Sequence, residues 1–172
     1  MYRTNVNATF NVLSQVGQRG VRRASIASSI NAFGVPLNHH DVTPAYFPID
    51  EDIPTDIDDW YSLSKRSDEL TAAMVARHWG TTVVALRFPL VKSADELRRH
   101  ARRLATDPRQ AMREGWAHLD VRDAARALLA GLTAPLIGAH VLLVAAEVSG
   151  PNGVPRPTVD GAARRSPGVA AA

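Results

Sequence analysis

Cysteine is absent from the 172-residue sequence. Its absence excludes disulfide bonds, thiolate nucleophiles and metal sites built from cysteine. Long apolar runs are missing too, because no stretch approaches the roughly 18 to 20 residues that cross a membrane. The opening MYRTNVNATF also lacks the basic and then apolar layout of a secretory signal. We therefore predict a cytoplasmic protein with no membrane partner.

A large excess of charge of one sign is also lacking. The 20 Lys and Arg residues and the 17 Asp and Glu residues leave a net charge of +3. The arginines are spread over helix faces, as in DELRRHARRLATDPRQAMRE, and are not interleaved with aromatic residues, which form 6% of the chain. A nucleic-acid surface needs basic residues clustered on one face. We therefore expect no nucleic-acid partner.

Side chains that could bind a metal are present, but their arrangement favours no metal site. His39, His40 and Asp41 are consecutive, and such neighbours rarely bind one metal ion without a further group. A solvated loop is the favoured interpretation. The acidic stretch DEDIPTDIDD precedes a predicted helix, where negative charge stabilises the helix N-terminus, so we interpret it as structural.

The first half of the chain shows clear local patterns. Apolar residues at helical spacing in NVNATFNVLSQVGQRG predict a helix that ends near Gly17 or Gly20. The segment VRRASIASS predicts a buried strand, and residues 31–59, rich in Pro, Asp and Gly, predict a long loop. We expect a helix over residues 62–79. TTVVALRFPLV is a continuous apolar run, typical of a strand covered on both faces.

The second half continues the alternation of strands and helices. A basic amphipathic helix is expected over residues 93–103, followed by a short one ending near Arg113. VRDAARALLAGL predicts a helix with Asp120 as its N-cap, and AHVLLVAAE predicts a last buried strand. The alternation indicates an α/β fold with a parallel sheet. Gly, Pro, Ala and Arg then dominate, which predicts a loosely ordered tail over residues 148–172.

The segment WYSLSK places Tyr61 four residues before Lys65. On a helix this spacing puts both side chains on one face, where the ammonium would favour the phenolate form of the tyrosine. A tyrosine in that setting can exchange a proton near neutral pH. The alternative is an ordinary aromatic residue beside a solvated lysine on an amphipathic helix, and the spacing alone leaves it open.

Five segments occur in a fixed order along the chain: NVNATFNVL, SIASSINAFG, YSLSK, LRFP and WAHLDVRDAARALLAGL. Taken together they resemble the extended branch of the short-chain dehydrogenase/reductase superfamily, the NAD-dependent epimerase/dehydratase family. YSLSK fits the family's Tyr-x-x-x-Lys motif, and SIASSINAFG is similar to its strand and turn ending in Ser-Ser-x-x-x-Tyr-Gly. The resemblance covers residues 4–147.

The resemblance implies a role for each matching residue. Tyr61 would exchange a proton with a substrate hydroxyl or carbonyl, while a hydride passes between that carbon and the nicotinamide of NAD or NADP. Lys65 would favour the phenolate and bind the ribose of the cofactor. Ser29 would hydrogen-bond the substrate oxygen; its alternative role is that of a turn serine that bonds its own backbone. Asn5 and Pro89 would line the cofactor pocket beside Tyr61 and Lys65.

The family's glycine-rich turn, which binds the cofactor pyrophosphate at a helix N-terminus, has no counterpart in the sequence. The resemblance therefore implies a Rossmann-like doubly wound parallel sheet that lacks its first strands and the glycine-rich turn. Residues 1–147 would form the C-terminal portion of that domain. We expect an N-terminally truncated chain in which the strand at Ala24 presents an unpaired edge.

Two functions follow from these observations. The first is an NAD(P)-dependent oxidoreductase or epimerase/dehydratase that acts on a hydroxyl or carbonyl carbon of a sugar-like or small polar substrate. The second is a non-catalytic truncated remnant that acts through protein association. The resemblance also implies a homodimer, formed by the helix that bears Tyr61 and the helix that precedes the serine strand.

Overall fold

Helices and parallel strands alternate along the part of the chain that the structure describes. The computed structural model describes residues 1–146, so the tail predicted for residues 148–172 lies outside the described residues. The helices are α1 Tyr2–Gln18, α2 Trp60–Trp79, α3 Ala94–Leu104 and α4 Val121–Thr133. The strands are β1 Arg23–Ser29, β2 Thr82–Phe88, β3 Leu90–Lys92, β4 His118–Asp120 and β5 Ala139–Leu143. Short 3-10 helices cover Ile30–Phe33 and Pro108–Glu114.

The strands form two parallel sheets. In the larger sheet the order is β1-β2-β5, and Ser29 at the end of β1 lies opposite Phe88 at the end of β2. In the smaller sheet β3 pairs with β4. Because parallel strands point the same way, the carboxyl ends of β1 and β2 meet at one edge of the sheet. The predicted α/β fold with a parallel sheet is confirmed.

Helices cover both faces of the larger sheet. On one face α1 and α2 pack against the strands around Leu13, Val75 and Val83, which are fully buried. On the other face α4 approaches closely at Gly131, where an added Cβ would lie 3.4 Å from the Val84 side chain. Successive residues of a strand point to opposite faces. Val83 therefore packs against α1 and α2, and Val84 packs against α4. This is the doubly wound arrangement that the sequence predicts.

Burial differs sharply between the three strands of this sheet. Residues 82–87 of β2 are all buried, which confirms a strand covered on both faces. The prediction of a buried last strand is wrong, because Ala139 and Leu142 of β5 are exposed. The prediction of a buried strand at β1 is confirmed only at its last two residues, Ser28 and Ser29. The reason is position: within residues 1–146 both strands pair only with β2 and form the sheet edges, as expected at Ala24.

The helix ends follow the local signals. The Asp59 Oδ1 accepts hydrogen bonds from the backbone N–H groups of Tyr61 and Ser62, each at 2.9 Å, so α2 begins two residues before the predicted start. The acidic segment before this helix therefore supplies its N-cap, as expected. Asp120 caps α4 in the same way, as predicted. None of the helices within residues 1–146 has the length and apolar character needed to cross a membrane.

The long loop between residues 34 and 59 is packed against the sheet. Ile49 and Ile53 join the buried cluster around Phe33. Gly34 has a φ of 92°, and a Cβ there would overlap the Asp56 carbonyl, so both the backbone angle and the close approach require glycine. The loop therefore has a defined position beside the carboxyl end of β1.

A buried ion pair joins β2 to α2. Arg87 Nε donates to Glu69 Oε1 at 2.8 Å, and Arg87 Nη2 donates to Glu69 Oε2 at 3.0 Å. The two side chains are 4% and 2% exposed. The Ser28 hydroxyl adds a hydrogen bond to Oε1 at 2.8 Å, and Arg66 adds one to Oε2 at 3.0 Å. Burial alone would raise the pKa of Glu69, but Arg87, Ser28 and Arg66 outweigh it and hold that pKa below its ordinary value.

The same network reaches the loop and the last strand. Arg87 Nη1 donates to the Glu51 carbonyl at 3.2 Å, and the Glu51 carboxylate accepts from the Leu143 backbone N–H at 2.6 Å. The Glu69 carboxylate, the Arg87 guanidinium and Glu51 thereby link all three strands of the larger sheet with the helix α2 and the long loop.

We predict that Glu69→Gln lowers the free energy of unfolding at pH 7 by about 3 kcal/mol, because it leaves the buried charge of Arg87 uncompensated. Urea unfolding provides the measurement. Asp95→Asn is the control, since it removes an exposed pair with Arg98 and should change stability by less than about 0.5 kcal/mol.

The difference between Glu69→Gln and the unmodified chain should also depend on pH. The folded pKa of Glu69 is lowered, so its stabilisation is complete above the unfolded value of about 4.3 and is lost as the pH falls through the folded value. Two outcomes would show that the Glu69–Arg87 pair does not stabilise the fold. Glu69→Gln and Asp95→Asn could lose the same free energy of unfolding, or the stability difference between Glu69→Gln and the unmodified chain could persist at acid pH.

Candidate functional site

The predicted site residues meet where β1 and β2 end and α2 begins. Ser29 is the last residue of β1, and Pro89 is buried directly after β2. Tyr61 lies in the first turn of α2, and Lys65 lies one turn later. The parallel register brings the two strand ends together, and the cap at Asp59 fixes the start of the helix beside them.

The lysine of this site has a defined position. Lys65 Nζ donates to the Ala27 carbonyl of β1 at 2.9 Å and lies 3.7 Å from Asp68 Oδ2. Its side chain is 16% exposed, which does not fit the alternative of a freely solvated lysine. The Nζ atom lies 6.0 Å from the centre of the Tyr61 ring. The predicted placement of Tyr61 and Lys65 on one helix face is therefore confirmed.

Ser29, the serine of this site, makes a local hydrogen bond to the backbone. Ser29 Oγ accepts a hydrogen bond from the Asn31 backbone N–H at 3.2 Å, which is the turn role that the sequence left open. A hydroxyl that accepts this bond keeps its own proton for donation, so the contact is compatible with binding a substrate oxygen. The preceding Ser28 donates to Glu69 and belongs to the buried ion-pair network.

Asn5 contacts the site through α2. Its Nδ2 donates to Ser64 Oγ at 3.0 Å, and Ser64 Oγ donates to the Tyr61 carbonyl at 2.7 Å. These bonds tie α1 to the first turn of α2. Sequence reasoning did not identify Ser64, although it lies within YSLSK at three residues from Tyr61, a spacing at which helical residues are neighbours.

Asp68 is a second residue that sequence reasoning missed. It is 2% exposed, and its Oδ1 has no hydrogen-bond partner among the described residues. Burial raises the pKa of its carboxyl, and the Thr9 hydroxyl of α1 and the Lys65 ammonium offset only part of that effect. The sequence feature that could have identified Asp68 is its position three residues after Lys65, a spacing at which helical residues are neighbours. The α1 helix packs against α2, and its residue Thr9 interacts with the Asp68 carboxyl.

The histidines of the loop contact one carboxylate. His39 Nδ1 and His40 Nε2 lie 3.1 and 3.6 Å from the oxygens of Asp58, and the histidine side chains are 75% and 79% exposed. Among residues 1–146, no group of three or more His, Asp or Glu side chains could hold a metal ion.

The described site therefore combines a phenol, an ammonium and a hydroxyl at the carboxyl edge of a parallel sheet. In open α/β sheets ligands bind at this edge. A phenol beside an ammonium can exchange a proton with an alcohol or carbonyl oxygen, and a hydroxyl donor can stabilise charge on that oxygen.

Comparison with solved structures agrees with the fold. A short-chain dehydrogenase/reductase superfamily protein from Agrobacterium tumefaciens with bound NAD is 21% identical, with a TM-score of 0.66 over 86% of this chain and 54% of that one. A UDP-galactose 4-epimerase is 28% identical, with a TM-score of 0.59 over 84% of this chain and 48% of that one. MoeE5 in complex with UDP-glucose and NAD is 25% identical, with a TM-score of 0.59 over 87% and 52%.

The chain spans about half the length of these solved structures. A search of curated proteins finds no significant match. A sequence profile of the NAD dependent epimerase/dehydratase family matches residues 1–145. The chain therefore belongs to the NAD dependent epimerase/dehydratase family.

Proposed function

We propose that this chain carries the proton-transfer residues of an NAD(P)-dependent oxidoreductase or epimerase/dehydratase. The observation that carries the proposal is the position of Lys65, whose ammonium is held by the Ala27 carbonyl beside the Tyr61 ring. The family assignment and the NAD named in two of the compared structures support it. The substrate class is a sugar-like or small polar molecule with a hydroxyl or carbonyl carbon, as with the UDP-glucose bound to MoeE5.

Three side chains divide the chemistry. Tyr61 gives a proton to, or takes one from, the substrate oxygen. The Lys65 ammonium stabilises the phenolate that forms when the proton leaves. Ser29 donates its free hydroxyl proton to the same oxygen and stabilises the charge that develops there. When bound, the nicotinamide supplies or accepts the hydride.

The residues present fit the nicotinamide end of the cofactor. A lysine ammonium has three N–H donors; the Ala27 carbonyl accepts one, and Asp68 lies beside another. A donor is left for the ribose hydroxyls, and Asn5 and Pro89 line the same region in the proposal. The pyrophosphate end has no glycine-rich turn in this sequence, so we expect NAD or NADP to bind weakly to the isolated chain.

Calorimetric titration of NAD and of NADP into the purified chain tests the cofactor assignment. Lys65→Ala should weaken binding at least about tenfold, because a charged hydrogen bond contributes roughly 1.5–3 kcal/mol. Lys92→Ala is the matched control, since it removes the other lysine of the chain and should leave the affinity unchanged. Equal affinities of the two variants, or no binding by the folded chain, would contradict the assignment.

Tyr61→Phe tests the proton transfer. This change removes only the phenolic oxygen, so we expect turnover to be lost while NAD binding stays within about threefold. Hydride transfer is followed by absorbance of the reduced nicotinamide with UDP-glucose and simple sugars as probes. Near-normal turnover by the variant would exclude Tyr61 as the proton donor.

Protein association is the second candidate function, and an exposed apolar stripe on α2 favours it. Trp60, Leu63, Leu70 and Met74 are 69%, 37%, 61% and 46% exposed. Their spacing places them along one side of the helix. A stripe of this kind is typical of an interface. We propose that it forms a homodimer surface together with α1, which packs beside α2.

Sedimentation velocity tests the dimer. Leu70→Glu should convert the dimer to monomer, because it places a charge in the apolar interface. Leu129→Glu changes an equally exposed leucine of α4 and should leave the dimer intact. A monomeric unmodified chain, or identical behaviour of the two variants, would contradict the proposed interface.

A further inference from the structure

We propose that Asp68 is a positioning residue that holds the Lys65 ammonium in place beside the Tyr61 ring. The inference rests on the proposed function, because it assigns Asp68 a role through Lys65. Asp68 Oδ2 lies 3.7 Å from Lys65 Nζ, and the Ala27 carbonyl lies 2.9 Å from the same atom. A hydrogen-bond acceptor from β1 and an ion-pair partner from α2 thus define where the ammonium lies.

Burial makes Asp68 unlike an ordinary ion-pair partner. Its side chain is 3% exposed, whereas Glu96, which lies 3.8 Å from Lys92 Nζ, is 42% exposed. The two pairs have the same charges and nearly the same separation. Water screens the exposed pair strongly and the buried pair weakly. The interaction between Asp68 and Lys65 is therefore less screened by water than the interaction between Glu96 and Lys92.

The buried carboxylate also costs stability. Its Oδ1 has no hydrogen-bond partner among residues 1–146, and a buried polar atom without a partner is unfavourable. Burial raises the pKa of Asp68 and the negative charge of Glu69 adds to the rise, while the Thr9 hydroxyl and Lys65 offset part of it. The charged form is thus disfavoured in the fold. Groups perturbed in this way concentrate at functional sites, and here the group lies against Lys65.

Asp68 and Glu69 are adjacent but behave in opposite ways. The pKa of Glu69 is lowered because Arg87 and its other partners outweigh its burial, so its charge stabilises the fold. The pKa of Asp68 is raised, so its charge destabilises the fold as the pH rises through the unfolded and then the folded value. Glu69 is surrounded by hydrogen-bond donors, whereas Asp68 Oδ2 lies 3.7 Å from the Lys65 ammonium.

Carbon-13 NMR titration of the carboxyl groups tests the coupling directly. We expect the pKa of Asp68 to lie above the ordinary aspartate value and to rise by a further half unit or more in Lys65→Met, because the ammonium that favours the carboxylate is gone. The matched control is Glu96 in Lys92→Met, where a smaller change is expected. The proposal is overturned if Lys65→Met leaves the pKa of Asp68 unchanged. It is also overturned if that pKa changes no more than the pKa of Glu96 does in Lys92→Met.

Amine labelling tests whether the carboxylate holds the lysine. The chain contains only two lysines, Lys65 and Lys92, so mass spectrometry after brief acetylation gives the ratio of their labelling. In Asp68→Asn this ratio should rise at least threefold, while the melting temperature at pH 7 stays level or increases. An unchanged ratio overturns the proposal. A melting temperature that falls as far as in Glu69→Gln also overturns it, because Asp68 would then be structural.

Neither measurement uses a cofactor or a substrate. Suppose that NAD does not bind, but the NMR titration and the amine labelling give the expected changes. The proposed function would then be rejected, and the coupling between Asp68 and Lys65 would stand. If NAD binds as expected but the NMR titration and the amine labelling show no change, only the role of Asp68 would be rejected.

Discussion

The bidentate pair of Arg87 and Glu69 determines how the site is assembled. A strand end and a helix are brought to one edge of the sheet, and the pair holds them there with two hydrogen bonds in a nearly dry environment. Because Glu69 lies one helical turn after Lys65, the position of this turn along β1 and β2 sets the position of the lysine. The Glu51 carbonyl, bonded to Arg87, extends the same constraint to the long loop.

Two adjacent carboxylates of α2 illustrate how environment gives similar groups different consequences. Glu69 is surrounded by donors, and its charge is favoured despite burial. Asp68 points into the contact between α1 and α2, where the Thr9 hydroxyl and the Lys65 ammonium act on it, and its charge is disfavoured. The α2 helix therefore carries two adjacent carboxyl groups, Glu69, whose charged form is favoured, and Asp68, whose charged form is disfavoured. Stability given up at a functional site is common in natural proteins.

In our proposal, Tyr61, Lys65 and Ser29 would lie at the nicotinamide end of the cofactor. The phenol, ammonium and serine hydroxyl lie at the carboxyl edge of the sheet, the edge at which ligands bind in open α/β sheets. The sequence lacks a glycine-rich turn for the pyrophosphate, and the chain spans about half the length of the solved structures it resembles.

The sequence by itself determined the features that depend on neighbouring residues. The spacing of Tyr61 and Lys65 placed them on one helix face, Asp120 marked a helix start, and the apolar run through β2 marked a strand buried on both faces. Only the tertiary structure decided the bond between Lys65 and the Ala27 carbonyl, the burial of Asp68 and the exposure of β5. Those features depend on which segments pack together, and local periodicity carries no information about contacts between residues far apart in the chain.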